Sequence, residues 1–164
     1  MSLTYVIILM GLAAVAEASV LPQIRIGQGQ PDLVFLLVLS WAANNELEEG
    51  VNWAFIGGIA KDLLSAAPLG TSTLGYLLVV FGISGLGRQV YRMGLLLLIG
   101  LVIVGTLIQQ VVSIVVLAIA GEPVNLLQGI QQVVLPTLLY NLIFIWPVYG
   151  FIRLIQNWLG TPVR

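Results

Sequence analysis

The chain has 164 residues, of which 59% are hydrophobic and 8% are charged, and its mean hydropathy is +1.06. A soluble domain is about 25% charged, so this composition favours a protein whose solvent is lipid. The formal net charge is -1, without a basic or acidic block, which argues against a nucleic-acid partner. Cysteine and histidine are absent, which excludes disulfides, the usual zinc sites and catalysis by histidine.

Six apolar runs predict an all-α membrane protein, in which residues 1–164 form one integral membrane domain: a compact bundle of six transmembrane helices. The expected spans are 3–21, 32–44, 51–66, 71–85, 93–120 and 133–158. The last two are long enough to cross with tilt. The second to fourth are short, so re-entrant segments, buried half-helices and spans in a thinned membrane all stay open. The first run lacks a basic leader and a cleavage site, and we interpret it as a retained span.

The first span carries Glu17 near its end, on a helix rich in small residues that allow close helix packing. A lone carboxylate in the membrane is costly. Two interpretations stay open: a carboxylate that reaches the headgroups or pairs locally, and an ion or proton site. Lys61 lies at a similar depth on the third span. We therefore hypothesise that Glu17 and Lys61 form a charge pair or share polar neighbours.

On the third span, Ala54, Gly58, Asp62 and Ser65 fall on one helical stripe. Asp62 therefore shares its face with the small residues that are expected to meet another helix. Lys61 points about 100° away from this stripe, as helix geometry requires. The stripe predicts that Asp62 faces protein, while Lys61 makes contacts of its own.

The turn after the third span contains Pro68 and Gly70, which make the chain reversal compact. Thr71 or Ser72 can cap the fourth span. The first N–H groups of that span have no partner inside their own helix and can receive a carboxylate. We expect Asp62 to accept them as a structural residue, with a catalytic acid as the alternative.

The fifth and sixth spans contain isolated polar and proline residues: Gly105, Gln109 and Ser113 on one stripe, then Pro136, Tyr140, Asn141 and Pro147. Amides near the midplane usually hydrogen-bond across helices, and proline bends a helix by freeing a carbonyl. Bundle stabilisation is one interpretation of these residues, and a polar substrate pocket is the other.

Catalytic and cofactor motifs are missing from the sequence. There is no phosphate-binding loop, and "GISGLGRQ" is not the dinucleotide pattern. Ser65 follows Lys61 by four residues, but no nucleophile motif surrounds it. We therefore predict no enzyme, no catalytic residues, no cofactor and no metal.

Lysine and arginine in short loops predict the orientation. With six crossings and a cytoplasmic N-terminus, four arginines lie on the inner side and two basic residues on the outer side. The inner group is Arg88, Arg92, Arg153 and Arg164, and the outer group is Arg25 and Lys61. Both termini are therefore expected in the cytoplasm.

Three blocks resemble the rod shape-determining protein MreD family: "QPDLVFLLVLSWA", "GGIAKDLLSAAPLGTSTLGYLLV" and "LPTLLYNLIFIWPVYGFIRL". They appear in the family's order and cover the chain from about Pro31 to Arg153. The middle block is the most specific of the three. The resemblance makes seven residues structural or partner-binding candidates: Asp32, Gly58, Asp62, Pro68, Gly70, Tyr140 and Asn141.

The resemblance implies a non-enzymatic scaffold in the bacterial inner membrane, within the rod or elongation complex that builds side-wall peptidoglycan. It implies MreC as a single-span partner, and RodA with a class B penicillin-binding transpeptidase as partners, direct or through MreC, alongside membrane lipid. It also implies the fold of the substrate-binding subunits of energy-coupling-factor transporters. The alternative function is a small-molecule, vitamin-like binding subunit of a transporter, because short helices and polar midplane residues suit a cavity.

Overall fold

A computed structural model describes residues 3–85, 95–121 and 126–158, and its secondary structure is helical. The α-helices are α1 (Leu3–Ser19), α2 (Leu33–Ala42), α3 (Leu47–Leu64), α4 (Thr71–Gly85), α5 (Leu95–Ile119), α6 (Leu126–Gly129) and α7 (Leu135–Trp158). A 3-10 turn, Leu21–Ile24, follows α1, and a π-helical segment, Ile130–Val134, joins α6 to α7. Because α6, this segment and α7 are continuous, the described residues form six helical rods without a strand.

Helix α2 is the centre of the bundle. Its sequence, LVFLLVLSWA, is apolar on every side, and each residue from Val34 to Trp41 is buried. The helix packs against α1, α3, α4, α5 and α7. Trp41 stacks on Trp53 of α3 with ring centroids 4.3 Å apart. The shortest predicted span is therefore a core helix that other helices surround.

Glycines allow the neighbouring helices to approach α2 closely. A Cβ at Gly57 of α3 would lie 2.9 Å from Val34, and a Cβ at Gly105 of α5 would lie 2.6 Å from Phe35. Larger side chains at these two positions would push their helices away from the core.

Two of the described helices are long and apolar enough, by length and composition, to cross a membrane: Leu96–Ile119 and Ile130–Trp158. Leu3–Ser19, Leu33–Ala42 and Thr71–Ser84 are shorter apolar helices. The exposed surface of α5 and α7 is rich in large hydrophobic side chains such as Val111 and Ile143, as a lipid-facing surface requires.

Helix α3 begins at Leu47, four residues before the expected span. The acidic stretch "NNELEEG" contributes the start of this helix, with Glu48 and Glu49 in its first turn. Carboxylates are favourable there because the helix dipole is positive at its N-terminus. The first turn of α3 therefore lies between the expected second and third spans, 32–44 and 51–66.

Helical structure near the last span begins at Leu126, before the expected residue 133, and includes the π-helical segment. Pro136 lacks an N–H group, so the carbonyl of Gln132, four residues earlier, loses its usual helical partner. The backbone N–H of Gln28 donates to this carbonyl at 2.9 Å. The proline thus provides an attachment point for the loop between α1 and α2.

Candidate functional site

Lys61 lies at the centre of a buried group of charges. Its Nζ is 2.8 Å from Glu17 Oε1 and 2.5 Å from Asp32 Oδ2, and it lies 5.7 Å from the centroid of the Tyr76 ring. We call Glu17, Asp32, Lys61 and Tyr76 the polar hub. The structure thus brings Glu17 and Lys61 together and adds Asp32, which the sequence had not linked to either residue.

Both carboxylates of the polar hub lie at the start of α2. Asp32 is the N-cap residue, and its Oδ1 accepts the N–H of Phe35 at 3.0 Å. Glu17 Oε2 accepts the N–H of Val34 at 3.2 Å. These N–H groups have no partner inside α2, and the positive end of the helix dipole favours anions there. The short central helix is therefore capped by two acids from separate parts of the chain.

The hub continues into the remaining helices through hydrogen bonds. The Tyr76 hydroxyl of α4 donates to Asp32 Oδ1 at 2.7 Å. The backbone N–H of Asp32 donates to Asn141 Oδ1 at 2.9 Å, and Asn141 Nδ2 donates to Thr106 Oγ1 at 3.0 Å. With Glu17 on α1 and Lys61 on α3, each of the six rods contributes to one connected network.

Asp62, the neighbour of Lys61, belongs to a separate network. Its carboxylate is buried and accepts the N–H groups of Gly70 at 2.9 Å, Ser72 at 3.0 Å and Thr73 at 3.4 Å. The Thr73 hydroxyl donates to it at 3.3 Å. The Thr71 hydroxyl donates to the carbonyl of Pro68 at 2.7 Å. The acid from α3, rather than Thr71 or Ser72, therefore provides the side-chain cap of α4.

Three other candidates shape the contact between α3 and α4. A Cβ at Gly58 would lie under 3.0 Å from the backbone of Thr73, so only glycine allows this approach. Gly70 has φ of +96°, a conformation that favours glycine, and it follows Pro68 by two residues. The stripe that contains Gly58 and Asp62 therefore faces α4.

Tyr140 and Asn141 are adjacent, but they bind different parts of the protein. Asn141 points into the bundle towards Asp32, whereas the Tyr140 hydroxyl donates to the carbonyl of Ile24. Gln109 is buried against Gly75 of α4. Asn141 and Gln109 thus make contacts between helices, and Tyr140 contacts the α1–α2 loop.

Tyr76 and Thr106 are the two members of the network that the sequence reasoning missed. Tyr76 lies four residues after Ser72, a spacing that places both on one face of α4. Thr106 lies three residues before Gln109, beside Gly105. Helical spacing from residues that had already been selected was the signal that could have identified both.

The polar hub stabilises the packing of the helices. The Lys61 ammonium contacts two carboxylates, and both carboxylates also accept N–H groups, so the buried charges are paired and hydrogen-bonded. Within the ranges described, no three acidic, cysteine or histidine side chains form a group that could hold a metal ion.

An apolar groove of about 440 Å³ lies between α1 and α7, away from the hub. Its lining consists of Tyr5, Ile8, Leu9, Leu12, Leu154, Ile155 and Trp158.

A family model matches almost the whole chain. The model of the family described as rod shape-determining protein MreD matches residues 1–157. No curated protein and no solved structure matches the chain.

Proposed function

The chain belongs to the rod shape-determining protein MreD family, and on this premise we propose that it is a non-enzymatic scaffold of the rod complex. The family is a membrane-protein family that acts in determining rod shape, and it is not a known enzyme family. In the proposed role, the chain binds MreC and thereby helps to regulate the synthesis of side-wall peptidoglycan. RodA and a class B penicillin-binding transpeptidase are proposed partners, direct or through MreC.

The observation that carries this proposal is the polar hub. The chain has few charged side chains, and Glu17, Asp32, Lys61 and Asp62 are committed to joining helices. A bundle whose buried polar groups fix its shape acts through helix faces and short loops rather than through chemistry. The exposed apolar faces and the fixed α3–α4 pair are the surfaces that such a scaffold offers to a partner helix.

We further propose a multi-pass orientation in the inner membrane, with both termini in the cytoplasm. Arg153 is exposed near the end of α7, and the positive-inside rule favours the cytoplasm for that end. Arg88, Arg92 and Arg164, which share this side in the proposal, lie outside the described residues.

Capture from native membranes tests the proposed scaffold. A tagged chain, cross-linked before detergent extraction, is expected to retain MreC. Asp62→Leu is expected to lower the amount of MreC retained, because it loosens the α3–α4 pair. Glu46→Leu is the matched control, since Glu46 occupies the N-cap of α3 without a side-chain hydrogen bond. Wild-type chain that is folded but retains no MreC would contradict the proposal.

The same preparation tests the transporter alternative, a subunit that binds a small vitamin-like molecule. Mass spectrometry of the purified chain is expected to show no tightly retained vitamin-like molecule. Retention of one at a stoichiometric level would favour the transporter subunit over the scaffold.

A further inference from the structure

We propose that the outward face of α7 around Pro147 is the docking surface for a single membrane-spanning helix of another protein. The partner helix carries a side chain with a hydrogen-bond donor, which bonds to the backbone carbonyl of Ile143. This inference rests on the proposed scaffold function and deepens it, because it assigns the surface to which the single-span partner binds.

Pro147 leaves the carbonyl of Ile143 without its usual partner. The proline lies inside α7 and has no N–H group to donate to the carbonyl four residues earlier. The chain stays α-helical on both sides, so the next N–H group, that of Val148, belongs to the carbonyl of Phe144. Among the described residues, no hydrogen bond from another element reaches the Ile143 carbonyl. This acceptor is therefore free.

The other proline of the last rod shows how this chain satisfies such a carbonyl. Pro136 frees the carbonyl of Gln132, and the backbone N–H of Gln28 donates to it at 2.9 Å. The rod also changes to π-helical geometry just before that proline, over Ile130–Val134. Within the described ranges, neither adjustment accompanies Pro147. The first proline packs against a loop of its own chain, whereas the second is exposed.

The free carbonyl lies where water does not supply a donor. Ile143 is 13 residues from the start and 15 residues from the end of the apolar helix Ile130–Trp158, which is about 20 Å in either direction. The hydrocarbon core is about 30 Å thick, so this position is near the middle of the membrane. An unpaired backbone carbonyl is costly there, and acyl chains carry no donor. The donor therefore comes from another protein.

The face of α7 that carries this carbonyl points away from the bundle. Ile143, Pro147 and Gly150 follow each other at spacings of four and three residues, so they share one helical stripe. All three are exposed. The buried residues of α7 lie on the opposite side: Thr137, Asn141, Ile145, Val148, Ile152 and Gln156. A donor on the bundle's own helices therefore does not reach this stripe.

The same stripe has a shape against which a second helix can pack. A Cβ at Gly150 would meet nothing within 4 Å, so a neighbouring backbone can approach closely at this point. Further along the stripe, Leu154 and Trp158 line the apolar groove of about 440 Å³ between α1 and α7. The distance along the helix from Ile143 to Trp158 is about 22 Å. One helix that lies along α7 therefore contacts the carbonyl, the glycine and the groove together.

Substitution of Pro147 tests the role of the carbonyl. Pro147→Ala restores the N–H group that pairs with Ile143, so the partner loses its acceptor. The apparent Kd for MreC, titrated against the chain in nanodiscs, is expected to rise roughly three- to tenfold. The melting temperature of the free chain is expected to equal or exceed that of the wild type, because proline is unfavourable inside a helix. Unchanged affinity for MreC in this variant would overturn the proposal.

A matched pair of glycine variants tests the surface without changing the carbonyl. Gly150→Leu fills the docking surface, and Gly82→Leu places the same side chain on α4. Both glycines are exposed, and a Cβ at either would meet nothing within 4 Å. Gly150→Leu is expected to weaken MreC binding by roughly tenfold or more, whereas Gly82→Leu is expected to stay within about twofold of the wild type. Equal affinities of the two variants would overturn the proposal.

Photo-cross-linking separates this inference from the proposed function. Benzoyl-phenylalanine replaces Ile143 of α7 or, as the control, Val104 of α5, and both positions are exposed. The two lie at the same depth, since each is two residues from the hydrogen bond between Asn141 and Thr106 on consecutive, antiparallel rods. Position 143 is expected to cross-link to the membrane helix of MreC, and position 104 is not.

The possible failures are distinguishable. A chain that retains MreC but cross-links to it only from position 104 would refute the docking surface and leave the scaffold function standing. A folded chain that retains no MreC, yet cross-links from position 143 to the membrane helix of another protein identified by mass spectrometry, would refute the choice of MreC and support the docking surface. The absence of any cross-link from position 143 to another protein in native membranes would overturn the inference.

Discussion

Replacing Asp62 with leucine removes the acceptor that joins α3 to the start of α4. Three backbone N–H groups and one hydroxyl then lose their partner. Each buried N–H left unpaired costs roughly 1–3 kcal/mol, so the three together lower the free energy of unfolding by at least about 3 kcal/mol. A chain of this size loses roughly 2–4 °C of melting temperature per kcal/mol. We therefore expect Asp62→Leu to melt about 6–12 °C below the wild type.

Thermal unfolding in one detergent, followed by far-ultraviolet circular dichroism, measures this loss. Asp62→Asn keeps one acceptor oxygen and loses the other, so about half of the shift is expected. Glu46→Leu is the control, because its side chain makes no cap hydrogen bond and is exposed. That change is expected to lie within about 0.5 kcal/mol of the wild type. If Asp62→Leu and Glu46→Leu melted together, the assignment of Asp62 as the cap of α4 would be refuted.

Three further predictions follow from the hub, the close helix contact and the charges. Lys61→Met leaves two buried carboxylates without their cation and is expected to cost about 3–5 kcal/mol of unfolding free energy; a melting temperature equal to that of the wild type would contradict the ion pairs of the polar hub. Gly58→Ala places a methyl group against the α4 backbone and is expected to cost about 1–3 kcal/mol. Gly82→Ala, where a Cβ meets nothing within 4 Å, is expected to be neutral or stabilising by up to about 1 kcal/mol, and equal effects of the two changes would argue against tight α3–α4 packing. A fluorescent-protein fusion after Arg164 is expected to fluoresce in the cytoplasm and an alkaline phosphatase fusion after Gly121 to be active, and the reverse pattern would exclude the proposed orientation.

Contacts between residues that are close in the sequence could be predicted from the sequence alone. Asp62 reaches donors 8 to 11 residues away, and helical spacing with turn chemistry is enough to anticipate such contacts. The same spacing places Lys61 on a different face, where the structure shows a separate network. Short-range geometry therefore accounts for this part of the candidate site.

Contacts between residues that are far apart in the sequence could not be predicted from it. Asp32 is linked to Tyr76, 44 residues away, and to Asn141, 109 residues away. These bonds depend on how each helix is rotated around α2, and a single sequence does not specify that rotation. The π-helical segment was missed for a related reason, since its freed carbonyl at Gln132 is satisfied only because Gln28 arrives from another part of the fold.

The arrangement of the polar hub has a consequence for biosynthesis. Glu17 and Asp32 leave the ribosome before Lys61, and Lys61 follows Glu17 by 44 residues. At roughly 5–20 residues per second, this interval lasts about 2–9 s. During that time Glu17, joined after 15 residues by Asp32, lacks the cation that makes burial of these acids tolerable. We therefore expect α1 to stay beside the insertion machinery until α3 has delivered the lysine, so that α1, α2 and α3 enter the bundle together.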